Sequence, residues 1–283
     1  MKNNLSNNNS NTHIFCTITI SLFVALLNSS AMASEKSPIT STAEDTTNFV
    51  VTKSLHSLSI SACIKDTCRA ITPPQDMLNS IKNGYSKVTV EDLTLDGSPE
   101  IVLTHEAEGS VNACSKVYQY NSAENSFTYL DSLPKQLCNY VIKNNYLVSS
   151  YKNNAKWHED IYKIENNKLS LKISDNCIGC DYINRTIYLA KDKTDHTLVT
   201  NNLDYTLRTQ LSTSVISMKA MLYQEPNEDS ITKMYLIRDD KVALTNFIAT
   251  ENNAFWYQIK YITKKGGIIK AWLKCDNIKY CAQ

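Results

Sequence analysis

The sequence predicts a mainly β protein assembled from antiparallel hairpins, and three observations carry that expectation. Tyrosine is abundant, at 16 of 283 residues, and Thr, Val and Ile recur in short runs, the residue types that fit a pleated, half-buried surface. Polar turn segments separate those runs at short intervals. The helix formers Ala and Leu are concentrated nowhere after the start of the chain. With 42% hydrophobic and 20% charged residues, the composition is that of a globular protein.

The same arithmetic narrows the function classes. A formal net charge of +1, from 29 Lys+Arg against 28 Asp+Glu, supplies no basic field for a phosphate backbone and argues against a nucleic-acid partner. Only 6 glycines occur, and none falls in a G-x-G-x-x-G or G-x-x-x-x-G-K-[ST] stretch, which argues against a nucleotide-cradling loop.

Taken in order, residues 1–33 read as a signal peptide. An Asn-rich leader carrying Lys2 runs into the apolar stretch IFCTITISLFVALL (residues 14–27), too short to span a bilayer comfortably, and Ala31-Met32-Ala33 forms an A-x-A cleavage site. Export, most simply to the periplasm, is the expectation, with no membrane-spanning segment afterwards. Cys16 precedes the apolar core's end, so lipoprotein-type cleavage is not supported. Residues 34–48 form a flexible lead-in.

Residues 49–64 are strand-like. Thr72-Pro73-Pro74 followed by Met77, Leu78, Ile81 and Gly84 predicts one short helix with an N-cap, prolines at its start and a glycine stop. Hairpins follow: KVTVEDL (87–93) with EIVLT (100–104), VYQY (117–120) with FTYL (127–130), IYKI (161–164) with LSLKI (169–173), and IYLA (187–190) with TLVT (197–200). Three open with an aliphatic residue and Tyr, an irregular repetition of the kind found in propeller-like sheets. A break at residues 203–214 divides this first domain (49–205) from a second (215–283).

Removing the leader leaves eight cysteines. Cys63, Cys68, Cys114, Cys138, Cys177, Cys180, Cys275 and Cys281 lie as sequence neighbours, and an oxidising compartment would let them pair. Of 105 possible pairings the most local is 63–68, 114–138, 177–180 and 275–281. Cys177-Ile178-Gly179-Cys180 also has redox and zinc spacing, but its flanks are strand-like and no second C-x-x-C accompanies it.

The loop DLTLDGSPE (92–100) carries oxygen side chains at positions 1, 3, 5 and 9 and Gly at position 6, matching the first part of a calcium loop. Asp92, Thr94, Asp96 and Glu100 are therefore candidate Ca²⁺ ligands; Leu103 at position 12 rules out an EF-hand, and a plain hairpin turn is the alternative. The loop resembles those of FG-GAP and VCBS repeats. With its continuation to Phe127 and with SSYKNNAKWHEDIYKIENNKLSL (149–171), it resembles a family of exported bacterial proteins of irregular propeller-like fold, some of which inhibit lysozymes or give immunity to peptidoglycan-hydrolysing effectors. That resemblance implies a non-catalytic partner-blocking role.

Trp157 and Glu159 are candidates for a recognition surface, with packing of the Trp against the sheet as the alternative. The five histidines show no metal-ligand spacing. In the last segment, L-Y-x-x-P, Y-L-x-x-x-D-x-V, W-x-x-I-x-Y and a closing W-L resemble a bacterial SH3-like domain, a small five-stranded β-barrel. Tyr223, Trp256 and Trp272 would then line an aromatic ligand groove or fill the barrel core. The expected partner is a cell-wall hydrolase or, through the SH3-like part, peptidoglycan itself.

Overall fold

Period-two alternation sets which face each strand buries, and the strand Glu100–Glu106 displays it plainly: Ile101 and Leu103 enter one hydrophobic cluster, whereas Val102 between them enters another. This computed structural model describes residues 47–54, 57–130, 133, 137–166, 168–250 and 254–281. The expected signal peptide and the lead-in up to residue 46 lie outside the described residues. The described residues all fall within one compact unit.

Four antiparallel sheets follow in chain order. The first joins β1 (Asn48–Lys53), β2 (Leu58–Ile64) and β3 (Thr67–Ile71). Helix α1 (Gln75–Lys82) comes next. The second sheet orders β4 (Tyr85–Glu91), β5 (Glu100–Glu106), β6 (Ala113–Asn121) and β7 (Ser126–Tyr129), with β8 (Leu137–Cys138) also on β6. The third is a meander of β9 (Val141–Lys143), β10 (Tyr146–Asn153), β11 (Lys156–Glu165), β12 (Lys168–Ile178), β13 (Tyr182–Tyr188) and β14 (Thr194–Thr200). The fourth comprises β15 (Ser212–Ser214), β16 (Ala220–Tyr223), β17 (Ile231–Leu236), β18 (Lys241–Ala249), β19 (Phe255–Ile262) and β20 (Ile268–Lys274), ordered β15-β18-β19-β20-β16-β17.

The mainly β expectation holds. The expected helix forms, but its N-cap is Pro74, with no capping side chain, and not Thr72. A residue that precedes proline is driven out of the helical region, so the two prolines keep the chain extended until Gln75. Met77 and Ile81, one turn apart, pack against β2 and β5, and Gly84 at φ +92° ends the helix. A Cβ there would meet the His105 ring at 3.0 Å.

In the fourth sheet the run 234–246 divides into β17 and β18, with Asp239 at φ +71° in the turn between them. Among the described residues the sheet is not closed into a barrel: three-residue β15 and β17 remain its two edges. The link from β16 to β20 is confined to one Cα pair, Tyr223 with Trp272. Leu198 of β14 is buried in this sheet's own cluster, and the Thr197 hydroxyl donates to the Leu244 carbonyl at 3.4 Å, so the third and fourth sheets share packing across residues 203–214.

All four local disulfides are present. Cys63–Cys68 staples the β2–β3 hairpin, Cys114–Cys138 ties β6 to β8, Cys177–Cys180 closes the turn after β12, and Cys275–Cys281 fastens the C-terminal turn.

Candidate functional site

The 92–100 loop connects β4 to β5 and is held by its own side chains. Asp92 accepts from the Asp96 amide at 3.1 Å and the Gly97 amide at 2.9 Å, and Asp96 accepts from the Ser98 amide at 2.7 Å. Leu95 and Gly97 supply the positive φ that the reversal needs. Leu93, fully buried, anchors the loop in the core between the second and third sheets.

Glu100 is buried as well. Its carboxyl accepts from the Leu93 amide at 2.7 Å and from the Thr94 hydroxyl at 3.0 Å. Burial pushes its pKa up; those two bonds oppose the shift, and the Asp96 and Asp92 charges reinforce it. Two of the four candidate ligands are thus bonded to each other, whereas Ca²⁺ takes about six to eight oxygens. Among the described residues no group of three or more His, Cys, Asp or Glu side chains is placed to hold a metal. In this arrangement the Thr94 hydroxyl is turned to the Glu100 carboxyl and the Asp92 carboxylate to the loop's own amides.

Beside it lies a groove of about 240 Å³ that the sequence reading missed, lined by residues including Lys87, Thr89, Glu91, Thr104, Glu106 and Tyr140. The Tyr140 hydroxyl donates to Glu91 at 2.8 Å, Lys87 faces Glu106 at 3.6 Å, and the Thr104 and Ser115 hydroxyls are 2.8 Å apart. Burial, with the Glu91 contact second, pushes the Tyr140 pKa well up. The signal for this face was present in K-V-T-V-E, where polar residues occupy every second position.

The proposed recognition residues divide. Trp157, on β11, is 37% exposed. Glu159 is engaged by Arg208 at 2.7 Å. Tyr223, Trp256 and Trp272 are buried together, the first two edge to face at 4.8 Å, with the Lys274 ammonium over both rings. They fill a small core and do not line an open groove. His158 stacks on Tyr151, whose hydroxyl donates to Asp160 at 3.0 Å.

Glu159 belongs to a buried ionic cluster that sequence reasoning also missed. Arg208, its side chain fully buried, binds both Glu159 and Asp175, the latter at 2.6 Å. Arg185 grips Asp175 through Nε at 2.7 Å and Nη2 at 2.6 Å, the bidentate geometry that a lysine cannot supply. Only four of the 29 basic residues are arginines, and two are here, which is the one signal the sequence offered.

The cluster fastens the segment after β14. Arg208 donates to the carbonyls of Asn202 (2.7 Å) and Leu203 (3.3 Å), and Arg185 to that of Tyr205 (3.3 Å). Asp204 caps the single turn Tyr205–Leu207 by accepting from the Thr206 amide, and it takes an ion pair from Lys143 at 2.6 Å. Lys143, then the Thr206 hydroxyl and amide, bring the Asp204 pKa down to about 2.

No protein-family model matches the chain, and no curated protein matches it. Among solved structures it is similar to a Xanthomonas type IV secretion system related protein, at 14% identity and a TM-score of 0.31, over 57% of this chain and 85% of that one.

Proposed function

We propose that this is an exported, non-catalytic binding protein that inhibits, or gives immunity to, a peptidoglycan hydrolase by blocking its cleft. The observation that supports the reading is the way the loops are held: four local disulfides and a buried two-arginine, two-carboxylate cluster fix them before any partner arrives. A surface already ordered loses little conformational freedom on docking, which is what an occluding protein requires. The propeller-like reading of the first three sheets, the SH3-like reading of the fourth, and periplasmic residence belong to the same proposal. The alternative is attachment to peptidoglycan through the fourth sheet. Burial of Tyr223, Trp256 and Trp272 weighs against it, because a glycan platform needs aromatic faces in solvent.

Co-sedimentation separates the two. The full chain, mixed with purified sacculi and with chicken-, goose- and invertebrate-type lysozymes, is expected to stay soluble and to elute with one of the enzymes as a stoichiometric complex. Sedimentation with sacculi and no soluble complex would replace inhibition by envelope attachment. Ca²⁺ at Asp92, Thr94, Asp96 and Glu100 is a separate proposal, since Thr94 and Glu100 must part to admit it; a melting temperature raised by millimolar Ca²⁺ over chelator, and not raised in Asp96→Ala, is its test.

A further inference from the structure

Two isoleucines lie directly opposite each other at the end of the β19–β20 hairpin, and lysines occupy the turn beyond them. Ile262 pairs with Ile268, and they are 65% and 60% exposed. Their strand neighbours Tyr261 and Ile269 pack on the fourth sheet's core, so alternation turns the isoleucine pair to the outer face. The turn, residues 263–267, carries Lys264 and Lys265, both exposed, and is closed by the Thr263 amide on the Gly267 carbonyl and the Gly266 amide on the Thr263 carbonyl, each at 2.8 Å. Two residues back on each strand Lys260 stands opposite Lys270, a like-charge pair that repels across the ladder. Asp195 of β14 answers both, 2.8 Å from Lys270 and 3.9 Å from Lys260. That contact brings the β13–β14 turn alongside the hairpin, with Leu189 53% exposed and Lys191 and Lys193 in the turn itself.

We infer that these two turns make a peripheral membrane contact, in which Ile262, Ile268 and Leu189 enter the acyl boundary of a bilayer and the lysines meet the phosphates of anionic phospholipid. Charge complementarity selects an anionic surface: the two turns and the Lys260–Lys270 pair hold six lysines against Asp192 and Asp195. The adjoining segment 237–241 adds Ile237, 53% exposed, and sets Arg238 and Lys241 against Asp239 and Asp240, so the positive excess is unchanged. Geometry selects lipid as that surface. The aliphatic side chains stand on hairpin ends, which a fluid interface admits without a preformed pocket, and a lysine stem beside them keeps its ammonium at phosphate level while the isoleucines go deeper. Apolar insertion and basic attraction are each weak alone and together give stable, reversible attachment. Membrane contact here is independent of whether the protein also blocks a hydrolase.

The test is flotation of the full, disulfide-intact chain with vesicles of phosphatidylcholine, alone or with one-third phosphatidylglycerol. The chain should float with the mixed vesicles, less so as salt is raised, and stay behind with phosphatidylcholine alone. Lys264→Ala with Lys265→Ala should weaken partitioning by about thirtyfold, and Ile262→Ser and Ile268→Ser by about tenfold each, all with unchanged melting temperature. Lys65→Ala with Lys82→Ala removes the same charge from the β2–β3 turn and helix α1 and should weaken it by no more than about twofold. Ile262→Trp should be quenched by brominated acyl chains, a signal that attraction at the headgroups alone does not give. Failure to float with the mixed vesicles would overturn the inference. So would flotation that both isoleucine variants retain in full, or equal binding to soluble polyglutamate, either of which reduces the lysines to a general attraction for anions.

Discussion

Glu100 is held in the core by two donors, and that placement makes its protonation state a stability question. Because its folded pKa lies above the ordinary value of 4.5, the folded state binds the proton more readily than the unfolded chain. Its stabilisation is complete below about 4.5 and is lost as pH rises through the folded value. Wild type should therefore lose melting temperature relative to Glu100→Gln between pH 4 and pH 7, and parallel curves would contradict the placement. Asp175 is buried between two guanidinium groups. Asp175→Asn should cost about 3–5 kcal/mol in urea unfolding, because Arg185 is left charged, buried and without its carboxylate. Asp175 did not stand out in the sequence. Glu100 could be counted as a loop oxygen, but whether it faces an ion or Thr94 depends on burial, and Asp175 meets Arg208 only through the fold.

Local pattern makes a hairpin legible and says little about how its strands join others. The hairpins of β4 with β5, β6 with β7 and β11 with β12 follow from alternation and turn residues, and the local cysteine pairs follow from proximity in sequence. The short strands β8, β9 and β15 carry too few residues to show a period, and the split of 234–246 turned on a single positive φ at Asp239. Aromatic residues were ambiguous for the same reason, since one ring can serve a groove or a core. The fold separates them: Trp256→Ala should lose about 3–5 kcal/mol, whereas Trp157→Ala should change stability by no more than about 0.5 kcal/mol. Urea midpoints of the two variants check this. Cys114→Ser with Cys138→Ser removes a cross-link spanning 24 residues and should cost about 3 kcal/mol by the same measurement.

Across the whole molecule, disulfides, hydrogen-bonded loops and paired buried charges all fasten the connections between strands. The polar groove on β4 and β5 and the clamped loop after β14 are both products of strand register, which composition cannot encode, so the site was less legible than the fold class. The exported, hydrolase-blocking reading draws together the A-x-A leader, the resemblance over residues 92–127 and 149–171, and the pre-ordered loops. Its most direct test is a titration of sacculus lysis. Fluorescent peptidoglycan is digested by each lysozyme type at fixed enzyme concentration while the oxidised full chain is added. The account predicts that the lytic rate of one type falls linearly to zero at one equivalent, with no lysis by the protein alone. Undiminished lysis by every type at a hundredfold excess, or lytic activity in the protein itself, would contradict it.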